Sequence, residues 1–235
     1  MSRPLIEVRD VVKDFRGLRP LRVQQLDLEE HQSIALLGFD QATAEVLVNL
    51  ITGAILPDTG SITVFGQITS AIADAEAWVH TLDQFGLISE RAVMLDQLTT
   101  EQNLAMPLSL RLHSMSADVR DRVRAIASEV GLSTAEIENQ VAALTPLGRQ
   151  RLRLGRALAL SPKVLLGEHP NAPLSAEDTL AFANVFRQVV ASRRIGSLVL
   201  TANHEFAASI SSEVLTLQPG TGHLKPSSAW RRWFS

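Results

Sequence analysis

The chain is predicted to fold as an α/β protein. A mostly parallel sheet is flanked by helices, with an antiparallel β part near the N-terminus and a helical lobe inserted later. Three observations predict this. Short uninterrupted apolar runs, such as Ile34-Ala35-Leu36-Leu37 and Val164-Leu165-Leu166, have the pattern of strands buried on both faces. These runs alternate with stretches of helical periodicity. The run ending at Leu37 stops at Gly38 and passes straight into a helical pattern, as phosphate-binding turns do.

Ile6, Val8, Val11 and Val12 mark an opening strand, and Val23 to Leu28 a second one. After the Ser33–Leu37 run, Val46, Leu47, Leu50 and Ile51 fall on one helical face. Pro57-Asp58-Thr59-Gly60 is a turn cluster, and Ser61 to Phe65 alternates as a strand. From about Glu90 to Arg156 strand signals cease; Met94, Leu98, Leu104, Leu108, Val119, Val123, Ile126 and Val130 belong to a helical stretch. The strand pattern returns at Val164-Leu165-Leu166. A helix over Thr179–Val190, a strand over Ser197–Thr201, a short helix after His204 and a strand over Val214–Leu217 follow. The expected organisation is one domain over 1–235: a core of 1–89 and 157–225, a lobe of about 90–156, and a tail of 226–235.

Composition narrows the function classes. The 235 residues suffice for a large buried core, and 46% hydrophobic with 20% charged is ordinary for a globular chain. Aromatics are only 5%, so the core must be built mainly from Leu, Val, Ile and Ala. A net charge of −3 gives no electrostatic case for nucleic acid as a partner. The absence of Cys removes disulfides, thiol catalysis and thiolate metal sites, and fits the cytoplasm. The opening MSRPLIEVRD lacks the apolar run of a signal peptide, and no stretch approaches the about 18 apolar residues of a membrane span. No His/Asp/Glu cluster has metal-ligand spacing, so no metal ligands are assigned, and no G-x-S-x-G elbow is present.

The most specific stretch runs from Leu144-Thr145-Pro146-Leu147-Gly148-Arg149-Gln150-Arg151 through Gly155-Arg156-Ala157-Leu158 to Val164-Leu165-Leu166-Gly167-Glu168-His169-Pro170, ending at Pro173-Leu174-Ser175. It resembles the part of ABC transporter ATPases that reads LSGGQ-QR, ARAL, a strand ending in Asp-Glu-Pro, and a turn ending in Leu-Asp. Upstream, Leu98-Thr99-Thr100-Glu101-Gln102-Asn103-Leu104 is similar to the segment after that family's glutamine loop. Downstream, Thr201-Ala202-Asn203-His204-Glu205 is similar to its histidine switch. The resemblance covers nearly the whole chain. It implies the P-loop NTPase-like ABC ATPase fold, with ATP and Mg²⁺ as the family's ligands.

The same resemblance shows how far the site residues depart from the family's. The phosphate loop reads G-x-x-x-x-G-K-[ST]; its amides turn onto the phosphates, its Lys meets them, and its hydroxyl meets Mg²⁺. The matching segment starts at Gly38, with Thr43 for the second Gly, Ala44 for the Lys and Glu45 for the hydroxyl. Losing two charge-assisted contacts costs about 4 kcal/mol, roughly a thousandfold in affinity. Two readings of Glu45 stand side by side: a carboxylate replacing phosphate in the helix's first turn, or an ordinary solvated first-turn residue. In the signature segment Thr145 keeps a hydroxyl, while Pro146 has no N–H to give and Leu147 adds bulk. Glu168 takes the place of the Mg²⁺-linked Asp, and His169 that of the general base. Glu90 takes the glutamine-loop position but accepts hydrogen bonds only. His204 matches the switch histidine, with a plain structural role as the alternative, and Phe15 falls near the adenine-stacking position, with ordinary packing as its alternative.

In this family a working site joins the phosphate loop of one subunit to the signature of another. Both halves are altered here, so neither a homodimer nor a heterodimer with an active subunit has an intact site. The resemblance therefore implies a degenerate ABC subunit, a pseudo-ATPase with a structural or regulatory role beside an integral-membrane permease. The expected localisation is cytoplasmic, peripheral to the membrane through that partner. Two other readings are a weakly active ATPase subunit and an interaction module outside transport. Putting the Lys and Ser back at positions 44 and 45 is expected to recover some binding and little hydrolysis. The tail Ala229-Trp230-Arg231-Arg232-Trp233-Phe234 is either a contact element or a seal over the domain's edge.

Overall fold

The computed structural model describes residues 4–72 and 74–227. The tail's Trp, Arg and Phe residues lie outside them. The N-terminal part is an antiparallel sheet. Strands β1 (Ile6–Lys13) and β2 (Leu21–Leu28) pair with each other, and β4 (Thr59–Val64) pairs with β1 and with the short β5 (Gln67–Ile68), in the order β2-β1-β4-β5.

The second sheet holds β3 (Ser33–Leu37), β6 (Phe85–Ile88), β7 (Val164–Glu168), β8 (Gly196–Leu200), β9 (Glu213–Gln218) and β10 (His223–Pro226). Its order is β10-β9-β3-β8-β7-β6, parallel throughout except for the antiparallel edge strand β10. The strand period of two explains why its central runs are apolar on both sides. Val164, Leu166, Leu198 and Leu200 face a core shared with the antiparallel sheet and with α1 (Gln41–Ile51). Leu165 and Val199 face the opposite core, shared with the helices after residue 99.

Those helices are α3 (Thr100–Ala105), α4 (Ala117–Glu129), α5 (Thr134–Glu138) and α6 (Pro146–Leu158). Each begins at a polar cap. Thr99, Ser116, Ser133 and Thr145 accept from the backbone amide three residues on, and Thr99 and Ser133 form reciprocal capping boxes with Gln102 and Glu136. Gly155 lets α6 pack against α3, since a Cβ there would lie 2.6 Å from Leu104 Cδ2. Helix α7 (Ala176–Arg193) and α8 (His204–Ile210) complete the layer, with Phe182, Phe186 and Phe206 fully buried between them.

Four strands or α-helices of the described residues carry no clear sequence pattern: β5, β6 and α2 (Ala75–Leu82), between Phe65 and Glu90, and the edge strand β10. Among the described residues no helix is long and apolar enough to cross a membrane.

Candidate nucleotide site

The site is assembled where β3, β6, β7 and β8 end. Gly38 follows β3 with φ +86, a conformation open to glycine, and a Cβ there would sit 3.0 Å from Leu217 O. The chain then turns into α1 sooner than a phosphate loop would. Asp40 is the N-cap, and helix begins at Gln41. The Asp40 carboxylate accepts from Thr43 N at 2.8 Å and Thr43 Oγ1 at 2.7 Å, while Ala44 N donates to Asp40 O at 2.9 Å. The Thr43 amide and hydroxyl hold the Asp40 carboxyl below its ordinary range, and His169 nearby lowers it further.

This corrects the sequence reading of Glu45. The residue is not in the first turn, because α1 starts at Gln41. It faces Arg91, with Glu45 Oε1 3.5 Å from Arg91 Nη1. The carboxylate at the helix N-terminus belongs to Asp40. An Asp immediately before a helical pattern is a cap signal that the phosphate-loop register masked. Ala44 points inward and is completely buried.

Glu168, the last residue of β7, is also buried, with its side chain held on two sides. Ser89 Oγ donates to its Oε2 at 2.5 Å, Arg91 Nε donates to the same oxygen at 3.0 Å, and Arg91 Nη2 bonds its Oε1. The hydrogen bonds to Glu168 raise the Arg91 guanidinium's already high pKa. Glu90 faces the other way, toward α6. It accepts from the buried Gln150 Nε2 and from Arg153 Nη2, both at 2.9 Å. The glutamine-loop position is thus turned from the site, and its neighbour Arg91 occupies it. Nothing in the sequence pattern singles out Arg91, whose partners stand 46 and 77 positions away.

His169 follows β7 in the left-handed region, φ 45. Its N–H donates to Leu200 O at 2.8 Å and its C=O accepts from Ala172 N at 2.9 Å, so the backbone is pinned. Its ring is buried, and Nε2 has no hydrogen-bond partner among the described residues. His204 is exposed at the first position of α8, capped by Asn203, which accepts from Phe206 N at 2.9 Å. Thr145 is exposed at the start of α6, its hydroxyl accepting from Gly148 N at 3.1 Å. Leu147 packs against the helical core. Phe15 shares a cleft of about 540 Å³ with Gly38, Asp40, Thr43 and Ala202.

The side chains with which a phosphate loop meets ATP-Mg²⁺ are replaced at the matching positions. The amides of Thr43 and Ala44, which a phosphate loop turns toward its ligand, are bonded to Asp40. A carboxylate already holds the helix N-terminus, where phosphate would meet like charge. The Arg91 guanidinium lies against Glu168 and Glu45, the positions matching the family's two metal-linked residues.

Asp40→Ala is expected to lower stability by about 1 kcal/mol, as loss of an N-cap does, measured by urea unfolding at neutral pH. The folded carboxyl titrates below the ordinary value of about 4, so the cap contributes fully above that pH and weakens as pH falls through the lowered value. The gap between variant and parent should therefore close in acid. A gap that widens there would refute the assignment of Asp40 as the cap.

Known proteins similar to this chain bear on its family and fold. The family model described as "ABC transporter" matches residues 21–172. The chain is 27% identical over 220 residues to the methionine import ATP-binding protein MetN of Brucella abortus, aligning over 93% of this chain and 58% of that protein. It therefore spans little more than half of that relative's length. It is 26% identical to the lipoprotein-releasing system ATP-binding protein LolD of Saccharophagus degradans, over 94% of this chain and 97% of that one. Among solved structures, CbiO1 of Clostridium perfringens superposes with TM-score 0.81 at 14% identity, covering 94% of this chain and 87% of that chain. The dimeric ATP-binding cassette MJ0796 with ADP and Pi gives 0.77 at 18%, covering 94% and 96%. At such identities these two likenesses speak for the fold alone. The family model covers more than half of the chain, and with the sheet order and strand-to-helix site it establishes that this protein belongs to the ABC transporter family as a nucleotide-binding domain.

Proposed function

We propose that the chain is a pseudo-ATPase: a nucleotide-binding domain kept as a structural or regulatory subunit of a membrane ABC complex, beside a permease and paired with a second cassette. One observation carries this reading. The first turn of α1 is closed by Asp40, whose carboxylate accepts from the Thr43 amide and whose main-chain carbonyl accepts from the Ala44 amide. The other positions point the same way. His169 in the base position is buried behind the turn, and Thr145 in the signature position serves as a helix cap. The core stays well packed on both sheet faces, so what persists is a shaped surface. In this reading residues 90–156 form the lobe that meets the permease, and the protein lies at the cytoplasmic face of a membrane through that contact.

ATP-Mg²⁺ at millimolar concentration is expected to leave the melting temperature unchanged, because a ligand stabilises only the state that binds it. Stabilisation by several degrees, abolished by substituting Gly38, would overturn the reading. Purification from membranes, with identification of the accompanying proteins, tests the partner: a permease subunit supports the complex, and its absence argues for a module outside transport.

A further inference from the structure

Residues 89–91 follow β6 and are the joint through which the chain leaves the sheet for the helical segment. Neighbouring residues of this joint grip opposite bodies. Glu90 holds α6 through Gln150 and Arg153. Arg91 reaches into the core. Its Nε and Nη2 take the two oxygens of Glu168 as a fork, while its Nη1 lies 3.3 Å from Asn49 Oδ1 and 3.5 Å from Glu45 Oε1 on α1. Ser89 closes the knot, accepting from Arg91 N at 3.1 Å and donating to Glu168 Oε2 at 2.5 Å. One guanidinium thus ties the joint to the end of β7 and to the flank of α1.

Its location is informative. P-loop enzymes hold Mg²⁺ between the loop's hydroxyl and the carboxylate ending the acidic strand. Those two positions here are Glu45 and Glu168, and the Arg91 guanidinium lies between them. We propose that Arg91 is a built-in cation standing in for the metal, and that it keeps the helical lobe docked on the core without nucleotide. The residue types suit the task. Two carboxylates without a cation would repel, a guanidinium stays charged at any physiological pH, and its planar fork matches a carboxylate at two points. The lobe of such a protein would have one fixed orientation, where a cassette that binds and releases ATP-Mg²⁺ would re-form the corresponding contacts each cycle.

The inference rests on the pseudo-ATPase reading, since metal and nucleotide would need the same space. The chain has no cysteine, so spin labels can be placed at Gln25→Cys on β2 and Asp121→Cys on α4, both exposed sites. Pulsed dipolar distances between them report the lobe's orientation. The parent is expected to give one narrow distribution. In Arg91→Ala the distribution should widen about twofold or split, as a released hinge would. An unchanged narrow distribution in Arg91→Ala would overturn the clamp. If that variant does not fold, Glu168→Gln, which keeps the shape and removes the charge, is judged in the same way. A parent distribution that shifts on adding ATP-Mg²⁺ would instead overturn the pseudo-ATPase reading and leave the Arg91→Ala comparison to decide the clamp.

Discussion

Ala44→Lys with Glu45→Ser, which restores the two family side chains in the loop, is expected to destabilise the protein by about 3 kcal/mol and to yield no ATP hydrolysis. The sequence alone suggests partial rescue of binding; the burial of Ala44 adds a cost in stability to that expectation. Ala44 is fully buried in the core that α1 shares with the two sheets. A lysine there forces extra methylenes and an ammonium into packed apolar surroundings unless the first turn of α1 unwinds. Unwinding breaks the Asp40 cap and its bonds to Thr43. Replacing Glu45 also removes a neighbour of Arg91. For a chain of this size the loss is about 6–12 °C in melting temperature. Thermal unfolding and steady-state phosphate release check both parts. An unchanged melting temperature that rises with ATP-Mg²⁺ would show that the loop reopens readily.

Phe206→Ala is expected to cost about 4 kcal/mol, or about 8–16 °C in melting temperature. The ring is completely buried and lies 6.2 Å, centroid to centroid, from Phe182, which in turn lies 6.4 Å from Phe186. In a chain with so few aromatics this trio joins α7 to α8 and so positions the loop from Thr201 to His204. Urea unfolding should show a lowered midpoint with an unchanged slope, the sign of lost stability without a change in surface exposed. A loss below about 1 kcal/mol would mean that the cavity collapses and α8 is held by other contacts.

Much of the fold was legible because burial leaves a pattern. The strand at Ser33–Leu37 matches its apolar run, and the helices at Ala176–Arg193 and His204–Ile210 surround the predicted ones. The strand Phe85–Ile88 was hidden by Gly86, which looks like a break. In space, a Cβ there would lie 2.4 Å from Ala157 O, so the glycine marks where α6 presses on the sheet. Helix Ala75–Leu82 was hidden because Thr81 is its only buried residue, leaving little periodic contrast. At the site, local motifs located Gly38, Glu168 and the end of β7. They did not locate Arg91, whose role depends on contacts far apart in sequence, and the family register drew attention away from Asp40 as a cap.

The early start of α1 also bears on the direction of sequence drift. Conversion to a phosphate loop would require several coordinated changes, from the cap at Asp40 to the buried Ala44 and the Glu45 beside Arg91. Each taken alone removes a bond or overfills a packed position, and none alone recreates a ligand site. Intermediate sequences would be less stable than either end point, and proteins near their stability threshold tolerate few such steps. If the proposed pseudo-ATPase reading holds, the capped start of α1 acts as a ratchet: further substitutions could accumulate around a closed site, and selection would act on the outer surface of the domain.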